Sequence, residues 1–94
     1  MTPYKIAHIE EKGVNIIIIP LESSFGNKTK KQQDQIIDAL QNCAKSAGLA
    51  GTVVPVWETG INHRFIAPPR WHPFFKTLSW DAILGKINKE LNCE

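Results

Sequence analysis

Long apolar runs, clustered cysteines and concentrated charge are all missing from this 94-residue sequence. The longest unbroken apolar run, from Ile16 to Leu21, is far shorter than the roughly 18 residues that suggest a membrane span. The first residues, MTPYKIAHIEEKG, lack the basic start and the apolar core of a signal peptide. We therefore expect a cytoplasmic protein that does not enter a membrane.

Cysteine and histidine are scarce and scattered. Cys43 and Cys93 match no CxxC or metal-binding spacing. His8, His63 and His72 show no spacing that would bring three or four metal ligands together. The sequence therefore predicts no metal site and no cofactor. A bond between the two cysteines stays open, but two free thiols in a reducing compartment are the prediction.

Charge is nearly balanced, because 11 Lys and Arg stand against 9 Asp and Glu, for a net charge of +2. This excess is too weak to indicate a nucleic-acid-binding protein without a local cluster. Apolar residues make up 43% of the chain and include four Phe and three Trp, so a folded core is expected. A chain of this length has room for one domain, which we predict to span residues 1–94.

Alternation and β-branched runs predict four strands. The second of them, VNIIIIPL, is apolar on both faces and should be a central, buried strand. Because a helix separates it from the third strand, these two should run parallel as a βαβ unit. The predicted strands are residues 4–9, 14–21, 51–58 and 63–67.

Helical periodicity predicts one helix over residues 29–47 and a second over roughly 80–92. The first should begin with a capping box between Thr29 and Gln32, and Gly48 should follow its last residue at the C′ position. The element order is then ββαββα. We expect an α+β or α/β two-layer sandwich, in which a four-stranded mixed sheet carries both helices on one face.

The segment PLESSFGNKTKK (20–31) has the context of a phosphate-binding loop, since a strand, a glycine and a Lys-Thr pair precede a helix. The leading glycine is missing and Asn27 separates the second glycine from the lysine, so we do not expect a nucleotide hydrolase. Lysines at a helix N-terminus still suggest a bound anion, although exposed lysines are tolerated there at small cost. The candidate anion-binding residues are Ser23, Ser24, Gly26, Lys28 and Thr29.

The second unusual feature is APPRWHPFFKTLSW (67–80), which we call the aromatic segment. Its prolines remove backbone donors, so it cannot pair as a strand, and its rings must bury against something. Either it covers an open end of the core, or it presents Trp and Arg anchors to a partner. The candidate partner-binding residues are Arg70, Trp71, His72, Phe74 and Phe75.

We therefore predict a small non-enzymatic module, without catalytic residues, that presents residues 70–75 to a protein partner or to a second copy of itself. One alternative is a nucleic-acid-binding domain in which Trp57 or Trp71 stacks on bases. Another is a phosphate-ligand or enzymatic domain that uses residues 23–29 with Glu22 and Glu58. The basic patch of the nucleic-acid alternative would comprise Lys28, Lys30, Lys31, Arg64 and Arg70.

Overall fold

The computed structural model describes residues 2–60 and 62–93. Within these residues the chain forms five strands and three helices, together with short 3-10 segments at Ser23–Asn27 and Pro69–Trp71. The strands are β1 (Thr2–Glu11), β2 (Val14–Leu21), β3 (Thr52–Thr59), β4 (Asn62–Phe65) and β5 (Lys89–Cys93). The helices are α1 (Lys30–Ser46), α2 (His72–Lys76) and α3 (Trp80–Gly85).

The strands form one mixed sheet in the order β4-β3-β2-β1-β5. β1 and β2 form an antiparallel hairpin, and β2 runs parallel to β3. β4 and β5 pair antiparallel with β3 and β1 and occupy the two edges. The α+β class, the mixed sheet, the hairpin and the parallel pair agree with the sequence-based prediction.

β2 is the central strand and is buried on both faces. Ile16, Ile17, Ile18 and Ile19 are each 0% exposed. Because successive side chains of a strand point to opposite faces, this run requires apolar cover above and below the sheet. Burial of such a side chain contributes about 1.5–3 kcal/mol, so both covers are central to the stability of the domain.

α1 covers the first face. Its start is the predicted capping box, in which the Thr29 hydroxyl accepts from the Gln32 N–H and the Gln32 side chain accepts from the Thr29 N–H. Gly48, just past its end, has φ +79°, which glycine adopts without steric cost. Leu40 and Ala44 of α1 pack against one face of the sheet. None of the helices in the described chain is long and apolar enough to cross a membrane.

The aromatic segment and α3 cover the second face, so the prediction of two helices on one face of a two-layer sandwich is wrong. Trp71, Phe75 and Ile83 pack against Ile16 and Ile18 of β2 on that side. The physical reason is the double-sided burial of β2, which leaves an apolar face that α1 cannot reach. The domain therefore has three layers, with the sheet in the middle.

The predicted second helix begins at Trp80 as expected, but its extension to residue 92 is wrong, and with it the four-strand count and the ββαββα order. The helix ends at Gly85, and β5 follows beside β1. Asn88 redirects the chain, because its side chain accepts from the N–H of His8 and donates to the C=O of His8, both at 2.9 Å. The apolar stripe that suggested one helix mixes Ile83, which packs on the second face of the sheet, with Leu91, which packs on the α1 side.

A disulfide joins Cys43 of α1 to Cys93 of β5, so the prediction of two free thiols is wrong. The two Cα atoms lie 5.8 Å apart, within the normal range for a disulfide. The residues are 50 positions apart in sequence, which is why no local pattern reveals the pairing. The bond fastens α1 to the edge strand that packs under it.

Removal of the disulfide should destabilise the domain. For a sequence separation of 50, loop-closure entropy alone predicts about 4 kcal/mol, and measured losses usually fall at 2–5 kcal/mol. We expect urea unfolding of the Cys43→Ala/Cys93→Ala variant to show a loss in this range. Reductant should destabilise the parent protein similarly and leave the variant unchanged. Two free thiols in denatured, unreduced protein would contradict the bond.

The aromatic cover should carry a large share of the stability. Phe75 is 0% exposed, so Phe75→Ala should lower the free energy of unfolding by about 3–5 kcal/mol through lost burial and a cavity. Leu84→Ala is the control, since Leu84 is 40% exposed and should cost less than about 1 kcal/mol. Equal losses in urea unfolding would show that the segment does not form the second cover.

Candidate functional site

β4 lies at an edge of the sheet, and no strand in the described chain pairs with its outer side. The N–H of Ile66 donates to the C=O of Pro55 at 3.1 Å, which fixes the residue pairs that bond across β3 and β4. Because such pairs alternate in an antiparallel ladder, the backbone groups of Arg64 face β3. Those of His63 and Phe65 face outward. The edge therefore offers two donors and two acceptors.

Pro55 limits the length of β4. Its ring nitrogen faces the Ile66 position and has no hydrogen to donate. The ladder can continue there with one bond instead of two, and β4 ends at Phe65. The outer edge is therefore short, and short edges are one way in which proteins limit uncontrolled strand pairing.

A first depression of about 590 Å³ lies on the α1 side of β4. It is bounded by the 3-10 segment that follows β2, by the start of α1 and by the side chains of β3 and β4. Trp57 and Arg64 are cross-strand neighbours and both line it. Its other polar lining comes from Ser23, Asn27, Gln33 and Thr59.

A second depression of about 460 Å³ lies on the opposite side of β4, where the aromatic segment forms the wall. Leu78 and Trp80 give it apolar surface, Asn62 and Ser79 give it polar groups, and Lys76 adds a cation. Thr59, His63, Arg64 and Phe65 line both depressions, so the two are continuous across the edge. We call the outer edge of β4 together with these two depressions the β4 groove.

The charge of the β4 groove is one-sided. Arg64 and Lys76 line it, whereas no Asp or Glu among the described residues does. Glu58 is the acidic residue nearest to Thr59 in sequence, but it belongs to β3 and lines neither depression. The groove therefore favours an acidic or neutral ligand over a basic one.

Each of the three histidines makes a hydrogen bond to a backbone carbonyl, and one of these bonds holds the wall of the groove. His63 reaches from β4 to the C=O of Phe75 at 3.3 Å, which holds the strand against α2. All three histidines make such a contact, and since a carbonyl only accepts, each Nε2 carries the proton. Across the described residues, no group of His, Cys, Asp and Glu could hold a metal ion. The other two histidine hydrogen bonds join His8 to the C=O of Ala50 at 2.8 Å and His72 to the C=O of Ala67 at 3.0 Å.

The predicted anion-binding residues do not form one site. Ser23 and Gly26 line the β4 groove, but Ser24 and Lys28 line a separate depression near Tyr4. The Thr29 hydroxyl is occupied by the helix cap. Phe25, between the two sides, is buried against Trp57 with ring centroids 5.0 Å apart. Glu22 lines that separate depression, whereas Glu58 lies on the other side of the sheet from it, so these carboxylates are not paired.

The predicted partner-binding residues divide between core and surface. Trp71 and Phe75 are buried against the sheet, which is the covering role that the sequence allowed. His72 and Phe74 are half-buried, and Arg70 is exposed with its guanidinium 5.8 Å from the Trp71 ring centre. A partner at this surface could therefore contact Arg70 and parts of its neighbours, and that interaction stays a prediction.

The basic residues of the nucleic-acid alternative are not gathered together. Arg70 lies beside Glu11 and Lys12 at the β1–β2 turn, whereas Lys28 follows the opposite end of β2. Strands of this length span about 26 Å, so Arg70 is separate from the lysines near α1. The proposed stacking rings, Trp57 and Trp71, are only 5% and 6% exposed. This arrangement gives little support to base stacking.

Gly26 allows the 3-10 segment to lie directly on Trp57, the inner wall of the groove. A Cβ at this position would be 2.5 Å from the indole Nε1, so Gly26→Ala must displace the ring. We expect a loss of about 1–3 kcal/mol in urea unfolding, together with changed Trp fluorescence. Gly85→Ala adds the same methyl group where nothing lies within 4 Å, and should be neutral or stabilising. Equal losses of stability in the two variants would contradict the contact between Gly26 and Trp57.

Sequence reasoning did not identify the β4 groove as a site. Arg64 entered only the nucleic-acid alternative, and Trp57 only as a stacking ring. The sequence held one signal for this edge: the last predicted strand, 63–67, has only one predicted neighbouring strand, so it should lie at an edge of the sheet.

No protein-family model, curated protein or solved structure shows significant similarity to this chain.

Proposed function

We propose that this chain is a small binding module and that its partner is another protein, bound in the β4 groove. The observation that carries the proposal is a free strand edge with a depression on each side. Exposed strand edges bind extended peptides through main-chain hydrogen bonds, and pockets beside the edge select their side chains. The groove combines both features at one place.

A polypeptide suits the groove better than a small molecule. Small-molecule sites are usually concave and enclose most of the ligand. Here β4 separates two depressions that are joined across its outer edge, so a ligand must extend over the strand to use both. An extended peptide has this shape, and its backbone complements the outward groups of His63 and Phe65.

The proposal keeps the protein partner that the sequence suggested and places it at a neighbouring surface. The aromatic segment supplies the wall of the second depression through Leu78 and Trp80. Its role is then to shape the groove and to cover β2 at the same time. The exposed surface around Arg70 is the alternative docking place for the same class of partner.

The disulfide supports a different location from the one that the sequence suggested. Disulfides persist in oxidising compartments and are rare in the cytosol. The bond between Cys43 and Cys93 therefore favours an oxidising compartment over the predicted cytoplasm. While it is formed, neither sulfur is available as a nucleophile, and we assign no catalysis to the module.

Selection from a library of random peptides tests the proposal. The oxidised protein is immobilised, and binding peptides are enriched and then measured individually by calorimetry. We expect enriched peptides to lose about tenfold or more in affinity against Arg64→Ala, because a charged hydrogen-bonding partner is removed from the groove. Arg70→Ala is the matched control, since it removes the same side chain from the other end of the sheet and should leave affinity unchanged.

The two arginine variants also separate the competing surfaces. Loss of affinity in Arg70→Ala, with Arg64→Ala unaffected, would move the partner to the aromatic segment. Failure to enrich any peptide, with the protein shown to be folded, would contradict the proposed function itself. Binding of oligonucleotides by the protein, with an affinity that falls steeply as salt is added, would instead support nucleic-acid binding.

A further inference from the structure

We infer that the occupant of the β4 groove is an extended segment with alternating acidic and apolar side chains, which adds to the sheet as a sixth strand beside β4. This inference rests on the proposed function and adds the chemistry of the partner to it. Three observations carry it: the outward backbone groups of β4, the apolar side chains that line the second depression, and the one-sided charge.

The backbone groups specify the binding mode. The N–H and C=O groups of His63 and Phe65 face outward, at alternate positions of one strand. An added strand offers its own donors and acceptors with the same spacing, because both backbones repeat every two residues. Up to four main-chain hydrogen bonds can form without any change in β4 or β3.

The side chains of an added strand would enter the two depressions alternately. Successive residues point to opposite faces, so residues i and i+2 reach one depression and the residue between them reaches the other. The depression on the α1 side carries the exposed Arg64, and its lining is polar and apolar in similar parts. The depression on the other side is also mixed, and Leu78 and Trp80 are its partly exposed apolar side chains from the aromatic segment. The face of the segment that meets Arg64 should therefore be polar, and the face that meets Leu78 and Trp80 should be apolar.

Charge selects acidic residues for the polar face. Arg64 is exposed on the α1 side of β4, next to Trp57 across the ladder. A guanidinium binds a carboxylate through two parallel hydrogen bonds, and the lining contains no acidic residue that would compete for it. A basic segment would meet Arg64 and Lys76 with like charge.

The same charge argues against a second copy of this chain as the occupant. If two β4 edges paired about their centres, Arg64 would lie opposite or next to its counterpart in the partner copy. Like charges directly opposite on neighbouring strands are destabilising. The net charge of +2 per chain acts in the same direction.

The first experiment uses two synthetic probes. The acidic probe is acetyl-Thr-Val-Glu-Val-Glu-Val-Thr-amide, and its matched control has Lys in place of each Glu. Calorimetry with the oxidised protein should show the acidic probe binding at least about tenfold more tightly than the Lys probe. Arg64→Ala should remove most of this difference, and Arg70→Ala should leave it unchanged. Equal affinities for the two probes would overturn the inference.

The second experiment tests the added strand directly. His63→Pro removes an outward N–H, and Pro is tolerated at that kind of edge position. His63→Ala is the matched control, because it loses the same ring and keeps the N–H. The acidic probe should bind His63→Pro about tenfold more weakly than His63→Ala. In the parent protein, the probe should slow amide exchange at His63 and Phe65 and leave the already bonded Arg64 unchanged. Unchanged exchange at both outward amides would overturn the inference.

The outcomes separate this inference from the proposed function. If library peptides bind at the groove but the acidic probe does not, the inference fails and the proposed function stands. If neither binds, both fail. A concentration-dependent dimer that His63→Pro abolishes and His63→Ala preserves would make a second copy the occupant, which also overturns the inference.

Discussion

Burial of β2 on both of its faces is the constraint on which the rest of the domain depends. Four consecutive isoleucines are inaccessible to water, so each face of the sheet needs an apolar layer. α1 supplies one layer through Leu40 and Ala44, and the aromatic segment supplies the other through Trp71 and Phe75. With both faces covered, the edges of the sheet remain for recognition, and β4 is the edge that depressions flank on both sides.

The sequence predicts those elements whose signals are local. α1 follows from a capping box at Thr29, a regular apolar stripe and Gly48, and β2 follows from its β-branched run. β5 could not be predicted in this way, because Asn88 and Cys93 are placed by contacts with residues distant in sequence. The double burial of β2 was nevertheless visible in the sequence, and it implied a second cover that the two-layer model left out.

The candidate site was harder to predict than the fold, since it is made of parts from four separate stretches. The sequence marks Ser23 and Gly26 as part of an anion-binding loop. In the fold, the residues of that loop line two different depressions. Trp71 and Phe75 were recognised as unusual, and composition could not separate a core role from an interface role. The outward orientation of His63 and Phe65 depends on strand register, which follows from hydrogen bonding rather than from residue type.

The bond between Cys43 and Cys93 closes a covalent ring that contains β3, β4, α2, α3 and β5. In the sheet, the β1–β2 hairpin lies between β3 and β5, two strands of that ring. A single peptide-bond cut anywhere between the two cysteines therefore leaves every fragment attached through the sulfurs. β4 lies within the ring, so a protease that cuts once in an exposed loop of the ring cannot release β4 from the rest of the chain.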